Sequence, residues 1–158
     1  MTTQLLQQAA EYIWAEGDML DYRNFADWLD LWTDDGLYIV PIDPEGTDFD
    51  TTLNYAHDDK EMRRLRVDRL TSGESISTDP APRTVRLISR LRIVCDEAGV
   101  LTVRCAQFLS EYRKDVVRYN TANIEYLLAR SGDTFKIQRK LVRLINSDDA
   151  QVTVGYIF

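Results

Sequence analysis

The residues of this chain that could bind a metal are few, and their number limits the redox chemistry the chain can perform. The 158 residues include one histidine, His57, and two cysteines, Cys95 and Cys105. A Rieske iron–sulfur cluster needs two cysteines and two histidines, and an iron site with two histidines and one carboxylate also needs two histidines. The chain alone therefore has too few histidines for either centre. It also has neither a glycine-rich phosphate loop nor a Gly-x-Ser-x-Gly nucleophile motif.

Acid–base catalysis is the other chemistry that individual side chains of this chain could perform. A catalytic acid or base needs an enclosed polar site that shifts its pKa. The candidates form a loose set without diagnostic spacing: Asp18, Tyr22, Asp35, Tyr38 and His57. His57 precedes Asp58 and Asp59 in a segment predicted to be a loop, which is typical of a surface or capping residue. Trp28 and Trp32, at helical spacing, are more typical of a core or an interface than of a ligand pocket.

Four consecutive β-strands are predicted within residues 84–146, because apolar and polar residues alternate there as in strands with one buried face. The buried face of the first strand is predicted to contain Val85, Leu87, Leu91, Ile93 and Cys95. Its opposite face is predicted to contain Arg86, Arg90 and Arg92. In the last two strands Val142 and Leu144 compete for the buried face, which predicts a β-bulge that curves the sheet.

The two cysteines flank the first hairpin of this predicted sheet. When the apolar faces of its strands are matched, Cys95 and Cys105 are two or four positions out of register. Even the nearer, diagonal arrangement separates them by about 7 to 8 Å, too far for an unstrained disulfide. We therefore expect both to be reduced cysteines of the core.

Helical periodicity is confined to the first part of the chain. One stripe of apolar residues contains Leu5, Leu6, Ala9 and Ile13, and a second contains Tyr22, Phe25, Trp28, Leu29 and Trp32. Gly17-Asp18 is predicted to separate these two helices, and Asp34-Asp35-Gly36 is predicted to end the second.

A strand, a loop and a third helix are predicted to follow. Residues 37–41 indicate a short apolar strand whose proline suits an edge strand or the end of a strand, and residues 42–55 are typical of a surface loop. Asp58-Asp59 followed by Glu61 is typical of a helix cap. This helix is expected to bury Met62, Leu65 and Leu70 and to end at Ser72-Gly73.

Charge is divided unevenly along the chain. Residues 1–61 contain 15 acidic and 2 basic residues, a net of −13, and residues 62–158 contain 11 acidic and 17 basic residues, a net of +6, which together give the −7 of the chain. This asymmetry permits contacts between copies or with a partner through surfaces of opposite charge, but two separately solvated faces explain it equally well. The net charge of −7 argues against nucleic-acid binding.

Length and hydropathy predict a single soluble domain over residues 1–158. A chain of this size buries roughly 68 to 70% of its unfolded surface, enough for a core without metals or disulfides. No apolar run approaches the roughly 18 residues that a membrane span needs, and no basic segment followed by an apolar stretch opens the chain. We therefore expect a cytoplasmic protein without a membrane partner.

Segments spread over nearly the whole chain match one family in order. They are LDYRNF (20–25), WLDLW (28–32), DDGLYIVP (34–41), DD (58–59), RVDRL (66–70), PRTVRLIS (82–89) and KLVRLINSD (140–148). On these segments the chain resembles the beta (small) subunits of bacterial aromatic-ring-hydroxylating dioxygenases. The first loop and the last ten residues match no signature of that family.

The resemblance implies an α+β fold of the ketosteroid-isomerase or nuclear-transport-factor type, a cone-shaped, curled antiparallel sheet covered by N-terminal helices. It also implies a structural subunit of an enzyme of aromatic hydrocarbon catabolism. In that family the large (alpha) subunit carries the Rieske 2Fe-2S cluster and the mononuclear iron, and NAD(P)H supplies electrons through a reductase. Three large and three small subunits usually assemble around a small-subunit trimer. The resemblance therefore implies no catalytic, cofactor-binding or metal-binding residue on this chain.

Two alternatives remain open from the sequence. The first is a stand-alone dehydratase or isomerase that uses an acid or base inside the cone. An enclosed polar pocket with a perturbed carboxylate favours it, whereas a filled apolar cone does not. The second is a homodimeric binding module with a self-complementary apolar patch. The sequence does not identify the aromatic substrate, or distinguish monohydroxylation from dihydroxylation.

Overall fold

The computed structural model describes residues 2–72, 81–147 and 156–158. Its elements are, in chain order, α1 (Thr3–Asp21), α2 (Phe25–Leu29), β1 (Trp32–Pro41), β2 (Asn54–Asp58), α3 (Lys60–Thr71), β3 (Arg83–Glu97), β4 (Val100–Arg113), β5 (Val116–Ser131) and β6 (Thr134–Leu144). The six strands form one curled, unclosed sheet in the order β2-β1-β6-β5-β4-β3. The predicted α+β class and the four-strand meander are thus confirmed.

The sheet is antiparallel except where β1 joins it. The meander β3-β4-β5-β6 pairs neighbour with neighbour, and β1 returns to pair in parallel with β6. The inner face of the sheet and the helices enclose the core, which includes Ile13 of α1, Leu101 of β4 and Ile137 of β6, all fully buried. The opposite face is called the outer face below. No helix among the described residues is long and apolar enough to cross a membrane.

The predicted buried face of β3 is wrong in its first half and again at Cys95, which a second register shift, between Ile93 and Cys95, places opposite Thr102 on the outer face. Val85 and Leu87 are 63% and 65% exposed on the outer face, and Arg86 is buried instead. The register with β4 shifts between Ser89 and Arg92, and Arg90 has a φ of 54°. This bulge adds one residue to the strand, so residues on either side of it alternate in opposite phase.

The bulge predicted in the last two strands is confirmed, and it lies in β6. Leu127 pairs with Arg139 and Leu128 pairs with Ile137, so Gln138 has no partner residue on β5. Beyond this point the inward positions of β6 are Lys140, Val142 and Leu144, all buried. The bulge therefore turns a lysine into the core.

The predicted helix boundaries are wrong at two places. α1 continues through Gly17 to Asp21. The missing side chain of Gly17 lets the helix lie close to β3, since a Cβ there would be 3.1 Å from Ile88 Cδ1. α2 ends at Leu29, and Trp32 already begins β1, which also contains the predicted helix stop at 34–36. Trp32 is buried against the core, and this packing outweighs its helical spacing in the sequence, so the residue adopts the strand conformation.

The segment around His57 is a strand, β2, and not a loop. β2 pairs with β1, with Ile39 opposite His57. Asp59 caps α3 by accepting a hydrogen bond from the Met62 N–H at 3.0 Å. Met62 and Leu65, expected to be buried, are 41% and 39% exposed, and α3 instead buries Arg63, Val67 and Leu70. Gly73, part of the predicted helix stop, lies outside the described residues.

Both cysteines are free thiols, as predicted. Cys105 is buried in the core, whereas Cys95 is only half-buried. Thr102 is the residue opposite Cys95, which keeps the two sulfur atoms out of register.

Candidate functional site

An ion pair lies in the interior between α1 and the sheet. Lys140 Nζ is 2.9 Å and 3.0 Å from the two carboxylate oxygens of Glu16, and it also donates to the carbonyl oxygen of Phe158 at 2.7 Å. Glu16 is 1% exposed and Lys140 is fully buried. α1 places Glu16 between Ile13 and Leu20 on its buried stripe, and the β6 bulge turns Lys140 towards it.

Two further donors complete the surroundings of the Glu16 carboxylate. The Tyr126 hydroxyl donates to Oε1 at 2.7 Å, and Trp28 Nε1 donates to Oε2 at 3.1 Å. With Lys140, each carboxylate oxygen accepts two hydrogen bonds. Because a carboxylate offers about four acceptor sites, this one is saturated by the protein itself. Glu16 therefore has no acceptor site left for a substrate proton.

Burial shifts the pKa values of the groups around Glu16. Burial lowers the pKa of the Lys140 ammonium, which the Glu16 carboxylate opposes. Burial raises the pKa of the Tyr126 hydroxyl well above its usual value, and the charge of Glu16 adds to this rise. Tyr126 therefore stays protonated at neutral pH, as its role of donor to Glu16 requires.

The residues Tyr156, Ile157 and Phe158, called the tail below, also lie in the interior. All three are buried, and the rings of Tyr156 and Phe158 pack edge to face with centroids 5.4 Å apart. The Phe158 N–H donates to the Tyr38 hydroxyl at 3.0 Å, and Arg86 donates to the Ile157 carbonyl. The tail thus contributes side chains and hydrogen-bonded backbone groups to the interior beside the Glu16–Lys140 pair.

The structure does not bring the predicted acid–base candidates together. Tyr38 alone faces the interior, where burial raises the pKa of its hydroxyl. Asp18, Tyr22 and Asp35 are exposed, and Tyr22 is 77% exposed. His57 is partly exposed on β2, with Nε2 3.2 Å from Asp50 Oδ1.

Glu16 and Lys140 are buried ionisable residues that were not among the acid–base candidates predicted from the sequence. Glu16 follows Ile13 by three positions and precedes Leu20 by four, so helical spacing alone places it on the buried stripe of α1. Lys140 has no comparable signal, because its inward orientation depends on the bulge at Gln138. The first residue was within reach of sequence reasoning, and the second was not.

A second ion pair, in which Asp58 is buried and Arg66 is partly exposed, links β2 to α3. Arg66 binds both carboxylate oxygens of Asp58, at 2.5 Å and 3.0 Å. Arg63, also buried, donates to the carbonyl oxygens of Gly36 and Asp58 and lies 4.2 Å from the Trp32 ring centroid. The described residues contain no group of three or more histidine, cysteine or carboxylate side chains that could hold a metal.

The fold and its interior define a class: an α+β cone-fold protein with a buried, fully hydrogen-bonded ion pair between its first helix and the curled sheet. Within that class, the profile of the family "Ring hydroxylating beta subunit" matches residues 15–148. The chain belongs to this family, which confirms the resemblance drawn from its sequence segments.

Known relatives and solved structures agree with this assignment. The chain is 35% identical to the biphenyl 2,3-dioxygenase subunit beta of Rhodococcus jostii (strain RHA1), covering 75% of this chain and 74% of the relative. It is 28% identical to the N,N-dimethyl phenylurea N-demethylase subunit beta of Sphingobium sp. (strain YBL2), covering 88% and 83%.

Among solved structures, the beta subunit of the benzoate 1,2-dioxygenase from Burkholderia mallei superposes with a TM-score of 0.75 at 25% identity, covering 94% of this chain and 95% of that one. A naphthalene 1,2-dioxygenase structure superposes with a TM-score of 0.83, covering 100% of this chain and 88% of that one. At 17% identity, this second likeness is one of fold.

Proposed function

We propose that the chain is the non-catalytic, structural small subunit of a multicomponent aromatic-ring-hydroxylating dioxygenase. The observation that carries the proposal is the saturated carboxylate of Glu16, which accepts four hydrogen bonds from protein donors, with the tail packed beside its partner Lys140. A stand-alone isomerase or dehydratase needs an open pocket and a free acid or base, and this arrangement leaves neither at Glu16.

The redox centres of such an enzyme belong, in this proposal, to an iron-bearing large subunit. With one histidine in its sequence, this chain has a donor set that fits neither a Rieske 2Fe-2S cluster nor the mononuclear iron site. Electrons would reach the large subunit from NAD(P)H through a reductase. We further propose one domain over residues 1–158, a cytoplasmic location, and an assembly of three large and three small subunits.

The contribution of the small subunit would be geometric. By holding the large subunits in a ring, it would keep the cluster of one large subunit close to the iron of its neighbour. A permanent assembly of this kind needs interfaces of more than about 2,000 Å². The small subunit therefore has to present extensive contact surface to its partners.

Co-expression with the product of a neighbouring gene that encodes Cys-x-His followed by Cys-x-x-His, the pattern expected of the large subunit, tests this proposal. We expect the two chains to co-purify, and native mass spectrometry to give equal numbers of each. If the two chains elute separately at micromolar concentration, the proposed assembly is wrong.

A Glu16→Gln variant tests the absence of catalysis on this chain. Once assembled, a complex containing this variant is expected to retain the turnover number of the unmodified complex. Conversion of a small molecule by the isolated, iron-free chain, and its loss in Glu16→Gln, would instead establish a cone enzyme.

A further inference from the structure

A depression of about 630 Å³ on the outer face of the sheet is lined by arginines. Its cationic residues are Arg90, Arg92, Arg104 and Arg143, which come from β3, β4 and β6. Two of them have partners within the chain. Arg90 donates to Asn123, and Arg143 donates to the carbonyl oxygens of Pro44 and Gly46. We call this surface the arginine depression.

Two of these arginines face each other without an anion between them. Arg92 and Arg104 are directly opposite in the register of β3 and β4, and both are exposed. Like charges at directly opposite positions of a sheet destabilise it. Glu125 lies opposite Arg104 on β5, but its carboxylate binds Arg139 at 2.6 Å. Among the described residues, no carboxylate is recorded within ion-pair distance of Arg92 or Arg104.

An exposed apolar surface adjoins the arginine depression on the same outer face. It contains Val85, Leu87, Phe108, Tyr112, Val117 and Tyr119, each at least 36% exposed. The strand register makes it continuous: Leu87 is opposite Phe108, and Tyr112 is opposite Val117. The β3 bulge creates this surface by turning Val85 and Leu87 outward. An apolar surface of this kind with a charged border is typical of a protein–protein contact.

The complementary charge lies on the loop between β1 and β2. This loop, residues 42–53, carries Asp43, Glu45, Asp48 and Asp50, all exposed, and it ends in Leu53, which is 80% exposed. It belongs to the part of the chain with a net charge of −13, whereas the arginine depression belongs to the part with +6. Within one copy this loop reaches only the border of the depression, where the Pro44 and Gly46 carbonyls and the Phe49 ring contact Arg143. Among the described residues, none of its carboxylates pairs with Arg92 or Arg104, so a second copy brings acidic and apolar groups matched to that part of the outer face.

We propose that the arginine depression and the adjoining apolar surface bind the acidic β1–β2 loop of a second copy of this chain. The contact joins two different surfaces, so each copy uses one surface to bind the preceding copy and the other to bind the next. Contacts of this heterologous type close into a ring when the rotation allows. This proposal rests on the proposed function, because the expectation of three copies in the ring comes from it.

Charge reversal on each surface tests the contact in the isolated chain by sedimentation equilibrium. The unmodified chain is expected to form a trimer. Arg92→Glu/Arg104→Glu and Glu45→Arg/Asp50→Arg are each expected to raise the dissociation constant about tenfold or more, because like charges then meet. Combining all four substitutions in one chain is expected to restore the trimer, since the reversed loop meets the reversed depression.

Arg64→Glu/Arg69→Glu is the matched control. Both residues are exposed on α3, away from the outer face, and this variant changes the net charge by the same amount. It is expected to leave the trimer intact. Circular dichroism of every variant verifies the fold, and restoration by the fourfold variant excludes unfolding as the cause of dissociation.

Binding to the large subunit, measured on the same variants, separates this proposal from the proposed function. If Arg92→Glu/Arg104→Glu stays trimeric but loses the large subunit, the depression binds that subunit. The present inference is then wrong, and the proposed function stands. An unmodified chain that remains monomeric, or a fourfold variant that does not regain the trimer, also overturns the inference. Failure of the unmodified chain to bind any large subunit overturns the proposed function instead.

Discussion

At the scale of single residues, the pair formed by Glu16 and Lys140 determines what the interior can do. Moving two charges out of water is costly, and here the cost is offset by their mutual contact and by Tyr126, Trp28 and the Phe158 carbonyl. The same contacts leave the carboxylate saturated. The pair therefore supports a fixed packing arrangement rather than proton transfer.

Replacement of Lys140 by methionine is expected to be strongly destabilising. The substitution leaves the Glu16 carboxylate buried without its counter-charge, which costs about 3–5 kcal/mol of unfolding free energy. Urea unfolding at fixed protein concentration measures this loss, because the stability of an oligomer depends on concentration.

The double variant Glu16→Leu/Lys140→Met is the control for this prediction. With both charges removed, the loss is expected to be much smaller, since no buried charge remains unpaired. Equal losses in the single and the double variant would show that the ion pair contributes nothing beyond packing.

The thiol of Cys105 is expected to make the protein less stable in alkaline solution. Burial raises its pKa from 9.0 to about 12. The folded state then retains a proton that the unfolded state loses, so stability is fully present below pH 9 and decreases as the pH rises towards 12.

Comparison with Cys105→Ala isolates this contribution. Between pH 9.5 and 10.5, unfolding free energy should fall less steeply in the variant, by about 1.4 kcal/mol per pH unit. Titration of the tyrosines changes the unfolding free energy of both proteins equally, so it cancels in the difference between them. Parallel curves for the two proteins would contradict the assignment.

At the scale of elements, two bulges decide which side chains enter the core. The β6 bulge turns Lys140 inward, and the β3 bulge turns Arg86 inward and Val85 and Leu87 outward. Arg86 is accommodated because Asp21 of α1 and the Ile157 carbonyl accept its hydrogen bonds. One added residue at each of these two bulges thus defines both the polar interior and the apolar outer surface.

The irregular part of β1 depends on a glycine. A Cβ at Gly36 would lie 2.9 Å from the carbonyl oxygen of Ile137 and 3.1 Å from that of Thr33, both backbone atoms. Gly36→Ala is therefore expected to reduce unfolding free energy by about 1–3 kcal/mol, the usual cost of overpacking.

Gly46→Ala is a suitable control, because its new Cβ meets only the side chain of Asp43 on the surface loop. Thermal unfolding of both variants measures the difference. A Gly36→Ala protein as stable as Gly46→Ala would mean that β1 can move away from β6 at little cost.

At the scale of the whole molecule, charge separation is the property that the assembly would use. A chain of net charge −7 repels its own copies unless opposite charges meet at the contact. In the proposed contact, the arginine depression and the acidic β1–β2 loop supply these opposite charges. The apolar surface beside them provides contact that does not depend on salt.

Salt is expected to weaken the contact between copies without abolishing it. Raising ionic strength from 0.1 M to 1 M shortens the screening length from about 10 Å to about 3 Å. The trimer dissociation constant should therefore rise with sodium chloride in the unmodified chain. The salt dependence should largely disappear in Arg92→Gln/Arg104→Gln. A constant that is independent of salt would assign the contact to apolar groups alone.

The sequence by itself determined the α+β class, the four-strand meander and the family. Alternation and helical spacing are local signals, and the family segments are read directly from the chain. The same signals misplaced the ends of the first two helices and the strand that contains His57. There, packing of Gly17 against Ile88, and of Trp32 into the core, outweighs local spacing.

Only the tertiary structure decided what the interior contains and which surface is apolar. Both depend on bulges, and a single inserted residue reverses every side chain beyond it because strand side chains alternate with a period of two. Sequence spacing predicted a bulge near Val142 but not the one at Arg90. The interior contacts of Lys140, Arg86 and the tail join residues that are far apart in the sequence, by up to 124 residues for Glu16 and Lys140. Local sequence patterns carry no information over such separations.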